Sequence, residues 1–283
     1  MPPPPRRPSS SGRSGRPDRS ARPDRPQKPA GPAPTGGGRA PERPRRPPRP
    51  PGSDDRPQRP RVPEPELPDD IDVRSLDRAT RAGLRSLPED LAERIAQHLV
   101  AAGRALDDDP EAAAAHARFA RQLAPRLAVV REATGITAYY CGDYATALAE
   151  LRAVRRMTGD PSYLPMMADC ERGLGRPERA LDLIADPLAA RLDAVGRVEL
   201  SIVASGARRD LGQTSAAVLA LQGPALDSTA VEPWTVRLWY AYAAALLDAG
   251  RIDDARQWFT SVAAIDEDEE TDAEERLAEL DAR

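Results

Sequence analysis

Residues 142–148 read Gly-Asp-Tyr-Ala-Thr-Ala-Leu, and the same grammar returns downstream at Gly175-Arg176-Pro177 with Ala180-Leu181, at Gly212-Gln213-Thr214 with Ala217-Val218, and at Gly250-Arg251-Ile252 with Ala255. A degenerate copy lies upstream, Asp109-Pro110-Glu111 with Ala114. From turn to turn the separations are 33, 33, 37 and 38 residues, the length of two helices and their loops. Each part has a mechanical reason. The glycine ends a helix where the backbone takes a positive φ, which costs glycine little. The alanine five positions on falls in the next helix, where a methyl lets two backbones approach. Seven positions before each turn the residue is again small: Ala102, Gly135, Ala168, Ser205 and Ala243. Small residues on both partners are what tight packing of a helix pair requires.

The sequence on either side speaks the same language. From residue 88 onward Ala, Leu, Arg and Glu dominate, and apolar residues recur at three- and four-residue spacings, as in Leu91, Ile95, Leu99 and Ala102. Start signals fit helices. Ser86 with Glu89 and Thr271 with Glu274 read as capping boxes, and Asp109-Pro110 as an N-cap followed by a first-turn proline. The fold class is therefore all-α: about five helix-turn-helix pairs, with capping helices expected in residues 71–86 and 271–282.

Composition divides the chain in two. Residues 1–68 hold 22 of the 31 prolines, 15 arginines and the only lysine, Lys28, against 7 acidic residues, so they carry a net charge of about +9 and the remainder about −13. With Val62 and Leu67 as the sizeable apolar residues after Met1, that segment buries too little surface to offset its ordering entropy. It reads as a disordered tail before a repeat domain at 69–283. The arginines near the N-terminus precede no apolar core of signal-peptide length, and the longest apolar run, Leu238 to Leu247, is too short to span a membrane. Two cysteines, Cys141 and Cys170, make no disulfide framework, so a cytoplasmic protein away from membranes is expected.

The turn beginning Gly-Asp-Tyr or Gly-Arg, the small residue before it and the alanine after it resemble the tetratricopeptide repeat family over about residues 90–265. Trp239, Gly250, Ala255 and Phe259 make the last repeat the best match, and Gly135, Gly142, Tyr144 and Ala147 the next. The near-exclusive use of Arg over Lys is similar to tetratricopeptide proteins of high-GC actinobacteria. The resemblance implies an α-solenoid whose first helices line a concave groove. It departs from the family where the spacing exceeds 34 residues, around Pro187–Arg197 and Gly223–Trp234, so longer connections or an extra helical turn are expected there. Carried over residue by residue, the groove would hold Glu132, Ile136 and Tyr139, then Asp169 and Arg172, then Glu199, Ile202 and Arg209, and finally Arg237 and Tyr240. Of these, Tyr139, Arg172, Arg209, Arg237 and Tyr240 are the candidate binding residues. Arg172, Arg209 and Arg237 could form a positive stripe suited to a peptide's carboxylates. They could equally pair with Asp169, Glu199 and Asp248. The family's carboxylate clamp, with its lysines and asparagines, is not matched.

Chemistry is sparse elsewhere. His98 and His116 lie eighteen residues apart without ligand spacing and read as surface or half-buried helix residues. Cys141, at a helix C-terminus, and Cys170 read as small packing residues rather than nucleophiles. Gly36-Gly37-Gly38 has neither the preceding strand nor the following Gly-Lys-Ser of a phosphate loop, and Asp266–Glu270 lacks the glycine and glutamate spacing of a calcium loop. Trp234, Trp239, Trp258 and Phe259 read as packing. The expectation is a non-catalytic protein-interaction module without a cofactor, binding a peptide or partner domain. The alternative is an RNA- or ribosome-associated factor that uses the basic tail.

Overall fold

Four of the five turns close in one geometry. At Gly142 (φ 72°) the glycine N–H donates to the Tyr139 carbonyl (2.9 Å) and the next N–H, of Asp143, donates to Ala138 (2.8 Å). Gly175, Gly212 and Gly250 repeat both bonds at φ 70–75°, with Arg172 and Glu171, Arg209 and Arg208, and Leu247 and Leu246 as acceptors. This pair of hydrogen bonds satisfies carbonyls that a helix end would leave orphaned, and the left-handed glycine that donates the first of them reverses the chain.

The computed structural model describes residues 62–228 and 230–282. The expected disorder and partner contacts of residues 1–61 lie outside them. Among the described residues the chain forms twelve α-helices and no strand. The pairs joined by the turns are α2 (Glu89–Arg104) with α3 (Pro110–Leu123), α4 (Ala128–Tyr140) with α5 (Tyr144–Thr158), and α6 (Leu164–Gly173) with α7 (Pro177–Ile184). They continue with α8 (Ala194–Asp210) and α9 (Thr214–Leu221), and α10 (Thr235–Asp248) and α11 (Ile252–Ala263). A short α1 (Arg78–Leu84) precedes them and α12 (Ala273–Asp281) follows. Consecutive helices pack on one another throughout, and first helices also meet across pairs: α2 on α4, α6 on α8 and α8 on α10.

The small residues sit where the packing needs them. Ala102, Ala168, Ser205 and Ala243 are buried, as is Gly135, and so are Ala114, Ala147, Ala180, Ala217 and Ala255 on the second helices. A Cβ added to Gly135 would lie 2.8 Å from Leu151 Cδ2, so α4 and α5 are in contact at the limit a glycine allows. The longer connections hold a 3-10 turn at Pro187–Arg191 and an irregular loop between α9 and α10. The last pair is closed by aromatics meeting edge to face: Trp239 on Trp258 (5.6 Å between centroids), Tyr242 on Trp258 (5.1 Å) and Tyr240 on Phe259 (5.5 Å).

Three local expectations came out differently. Asp109 caps α3 as anticipated, its carboxylate accepting from Ala112 N–H (3.0 Å). The two capping boxes do not form. Helix α2 starts after Pro88 with no side-chain cap, and the Thr271 hydroxyl turns back to the Asp266 carboxylate (2.6 Å) while α12 starts at Ala273. Asp266 also accepts from the backbone N–H groups of Glu270 and Thr271, so it ties its own turn together. Residues 62–68, which composition groups with the tail, carry contacts to the helices. Val62 N–H donates to Gln122, and Glu64 pairs with Arg94 on α2 through both carboxylate oxygens.

Candidate binding cleft

The first helices α4, α6, α8 and α10 present side chains to two adjoining clefts. The larger, of about 1250 Å³, is lined by Tyr139, Asp169 and Arg172 together with Glu199, Ile202 and Arg237. The smaller, of about 470 Å³, is lined by Arg172, Ile202, Arg209, Arg237 and Tyr240, so the two share three residues. All five candidate residues thus fall on one continuous surface. Glu132 and Ile136 do not share it. They line a separate apolar pocket of about 160 Å³ with Leu76, Leu99 and Val129, at the α1–α2 end.

Polar side chains tie each first helix to the next. Tyr139 donates its hydroxyl to Asp169 (2.6 Å), and Tyr163 to Glu132 (2.5 Å). Burial, reinforced by the facing carboxylate, raises the pKa of both phenols, which stay protonated donors. Arg172 reaches Asp169 on its own helix (2.8 Å) and Asp210 at the end of α8 (2.8 Å). Arg209, the equivalent residue one pair on, reaches Asp248 at the end of α10 (2.6 Å). Arg237 pairs with Glu199 (2.5 Å) and, more loosely, with Glu270 (3.7 Å). Tyr240 donates to Asp272. The Arg172 guanidinium lies directly on Gly206, where a Cβ would come within 2.4 Å of its central carbon. Burial opposes the Arg172 charge, but the carboxylates of Asp210 and Asp169 outweigh it and hold its pKa above the usual arginine range.

The possible positive stripe is therefore not present as free charge. Of the two alternatives open in the sequence, pairing is the one realised, with Asp169, Glu199 and Asp248 as partners and Asp210 and Glu270 in addition. Arginine and aspartate meet across 38 and 39 residues, between equivalent ends of successive first helices.

The histidines need correcting. Both are buried, and the α2–α3 reversal brings them face to face, Nδ1 to Nδ1 at 2.9 Å. Glu64 accepts from His98 Nε2 (3.3 Å), which leaves His98 Nδ1 as acceptor for a proton on His116 Nδ1. Burial lowers both pKa values, and for His116 the neighbouring His98 adds to the effect. The signal was the hairpin itself: His98 stands six residues before the end of α2 at Arg104, and His116 six after the start of α3 at Pro110. Among the described residues no cluster of three metal-ligating side chains occurs. Both cysteines are free, and burial raises the Cys141 thiol and pushes Cys170 up to about 12.

No protein-family model matches the chain, and no curated protein matches it. Among the described residues no helix is long and apolar enough to cross a membrane.

Proposed function

We propose that the chain is a tetratricopeptide-like α-solenoid acting as a non-catalytic binding module, and that the cleft along its first helices receives an extended polypeptide. The solenoid reading rests on the repeated turn, on the small residues buried beside it, and on packing of first helix on first helix at α2–α4, α6–α8 and α8–α10. Stacked pairs of this kind create extended binding surfaces.

One observation carries the functional reading. Successive first helices contribute to one continuous cleft large enough for several residues of extended chain, and its walls are cross-tied so that they are pre-organised. A pre-organised surface loses less entropy on binding. Tyr140 and Val195, both exposed, lie at the larger cleft and offer apolar contact. The cytoplasm is the compartment this reading takes, on two unpaired cysteines.

Selection of a random peptide library on the immobilised full-length protein tests it. Enriched peptides should lose binding when Ile202→Trp fills both clefts and keep it when Leu219→Glu alters an exposed site on α9. Failure to enrich any peptide, or binding indifferent to Ile202→Trp, would remove the proposal.

A further inference from the structure

Charge along the cleft identifies the kind of polypeptide. The lining contains six carboxylates against four guanidinium groups. Three of those four, Arg172, Arg209 and Arg237, are already engaged by carboxylates of the chain itself. Asp210 and Asp248, which engage Arg172 and Arg209, lie outside the lining, as does Arg276, which pairs with Asp272. An anionic ligand would have to displace these pairs, whereas a cation meets carboxylates that still have capacity. Asp160 accepts from Ser162 N–H (2.9 Å) and Oγ (2.6 Å) through Oδ1 alone, and Asp193 accepts from Gly196 N–H (2.7 Å) through Oδ1 alone. Both line the larger cleft, and among the described residues neither forms an ion pair there. Arg191 lies beside Asp160 and offsets part of that charge.

A second, independent observation points to a ligand. Ser205 is buried (1 % exposed), lines the smaller cleft, and its hydroxyl finds no hydrogen-bond partner among the described residues. A buried hydroxyl without a partner is uncommon in a finished structure, and one at a cleft wall is suited to a group brought by an occupant. Tyr140 is nearly half exposed at the larger cleft, beside Asp160 and Asp193 in its lining, giving an aromatic platform for a planar cation.

We propose that the occupant of the cleft is a basic, arginine-bearing extended peptide. This rests on the binding-module reading and adds the sign of the charge to it. The guanidinium groups of the ligand meet Asp160 and Asp193, its backbone runs past Ile202, and a donor reaches the Ser205 hydroxyl.

Four labelled peptides of one length test it on the full-length protein by fluorescence anisotropy: alternating Pro-Arg, and the same peptide with Lys, Gln or Glu in place of Arg. The Pro-Arg peptide should bind, weaken as salt rises, and exceed the Gln peptide in affinity; the Glu peptide should bind least. The double variant Asp160→Asn, Asp193→Asn keeps both Oδ1 acceptors, and so the local turns, while removing both charges. It should weaken the Pro-Arg peptide roughly fivefold, the scale of two exposed ion pairs, without moving the melting temperature. Equal affinity for Arg and Gln peptides, preference for Glu, or an unchanged affinity in the double variant overturns the inference. If selected library peptides are acidic or neutral yet still lose binding with Ile202→Trp, the module reading stands and the charge assignment falls. If no peptide responds to Ile202→Trp, both fall.

Discussion

Replacing Gly135 by alanine tests the packing on which the fold depends, because two opposing effects of known size meet at one methyl group. In a helix interior alanine is favoured over glycine by about 1 kcal/mol, so propensity alone predicts stabilisation. At Gly135 the new Cβ would stand 2.8 Å from Leu151 Cδ2 and 2.9 Å from its Cγ, well inside ordinary contact. Leu151 is fully buried, and the clash reaches its Cγ as well as the end of its side chain. Forcing a methyl into such a site costs about 1–3 kcal/mol, so the net effect should be a loss of about 1 kcal/mol. Gly103 supplies the control. It lies in the last turn of α2, exposed, and an added Cβ meets nothing within 4 Å. Gly103→Ala should therefore stabilise by about 0.5 kcal/mol. For a domain of this size about 1 kcal/mol corresponds to roughly 2–4 °C, so circular-dichroism melting should move in opposite directions for the two variants. Shifts of the same sign, or a more stable Gly135→Ala protein, would refute the claim that α4 and α5 touch through that glycine.

Other consequences can be measured on the same material. Because burial lowers the pKa of His98 and His116, the unfolded chain takes up protons that the folded one refuses; stability should be complete above about pH 6.5 and decline as pH falls below it. Leucine at both positions should flatten that slope between about pH 6.5 and 5, above the range in which Glu64, held below its usual value by Arg94, begins to protonate; an unaltered slope would acquit the pair. Arg152→Ala removes the guanidinium 2.5 Å from the fully buried carboxylate of Glu171, leaving it only the more distant Arg176 (3.6 Å), and should cost about 2 kcal/mol in urea unfolding. Glu171→Gln, which removes the buried charge itself, should cost less, and the reverse order would contradict the pairing. The Cys170 thiol, buried and pushed up to about 12, should resist a disulfide reagent until denaturant is added, so rapid labelling of two thiols in the native chain would show that α6 is not packed as described.

The helical architecture was legible because its determinants are local. A glycine at a helix end, a small residue seven before it and an alanine five after it lie within a window of thirteen residues, and repetition separates them from chance in an alanine-rich chain. The capping boxes were less legible for a related reason. Thr271 has Glu274 at the right spacing, yet Asp266, five residues upstream and folded back by the acidic turn, offers its hydroxyl a competing acceptor. Spacing proposes a bond, and the path of the connection decides between acceptors. His98 and His116 show the same limit over a longer distance. A search for ligand spacing within one helix passes over residues that a helix reversal places in contact.

The electrostatics of the cleft were hidden more deeply, and the reason bears on what the surface can bind. Arg172 and Arg209 occupy equivalent places, so in sequence they read as a stripe of like charge. Each is answered by an aspartate at the end of the following first helix, Asp210 and Asp248, at separations of 38 and 39 residues. Those separations exceed the 37- and 38-residue spacings of the turns by one, because arginine stands three residues before its glycine and aspartate two before the next. The charge presented to a ligand is thus fixed by how consecutive pairs meet, and no single repeat displays it. An arginine whose partner sits one repeat away neutralises itself only while the two pairs stay in register. Carboxylates held within their own turns, as Asp160 and Asp193 are by Ser162 and Gly196, are fixed in place without an ion-pair partner from the neighbouring pair. The sign of the cleft is accordingly set by its turn-bound acids, while its inter-repeat arginines serve to join one helix pair to the next.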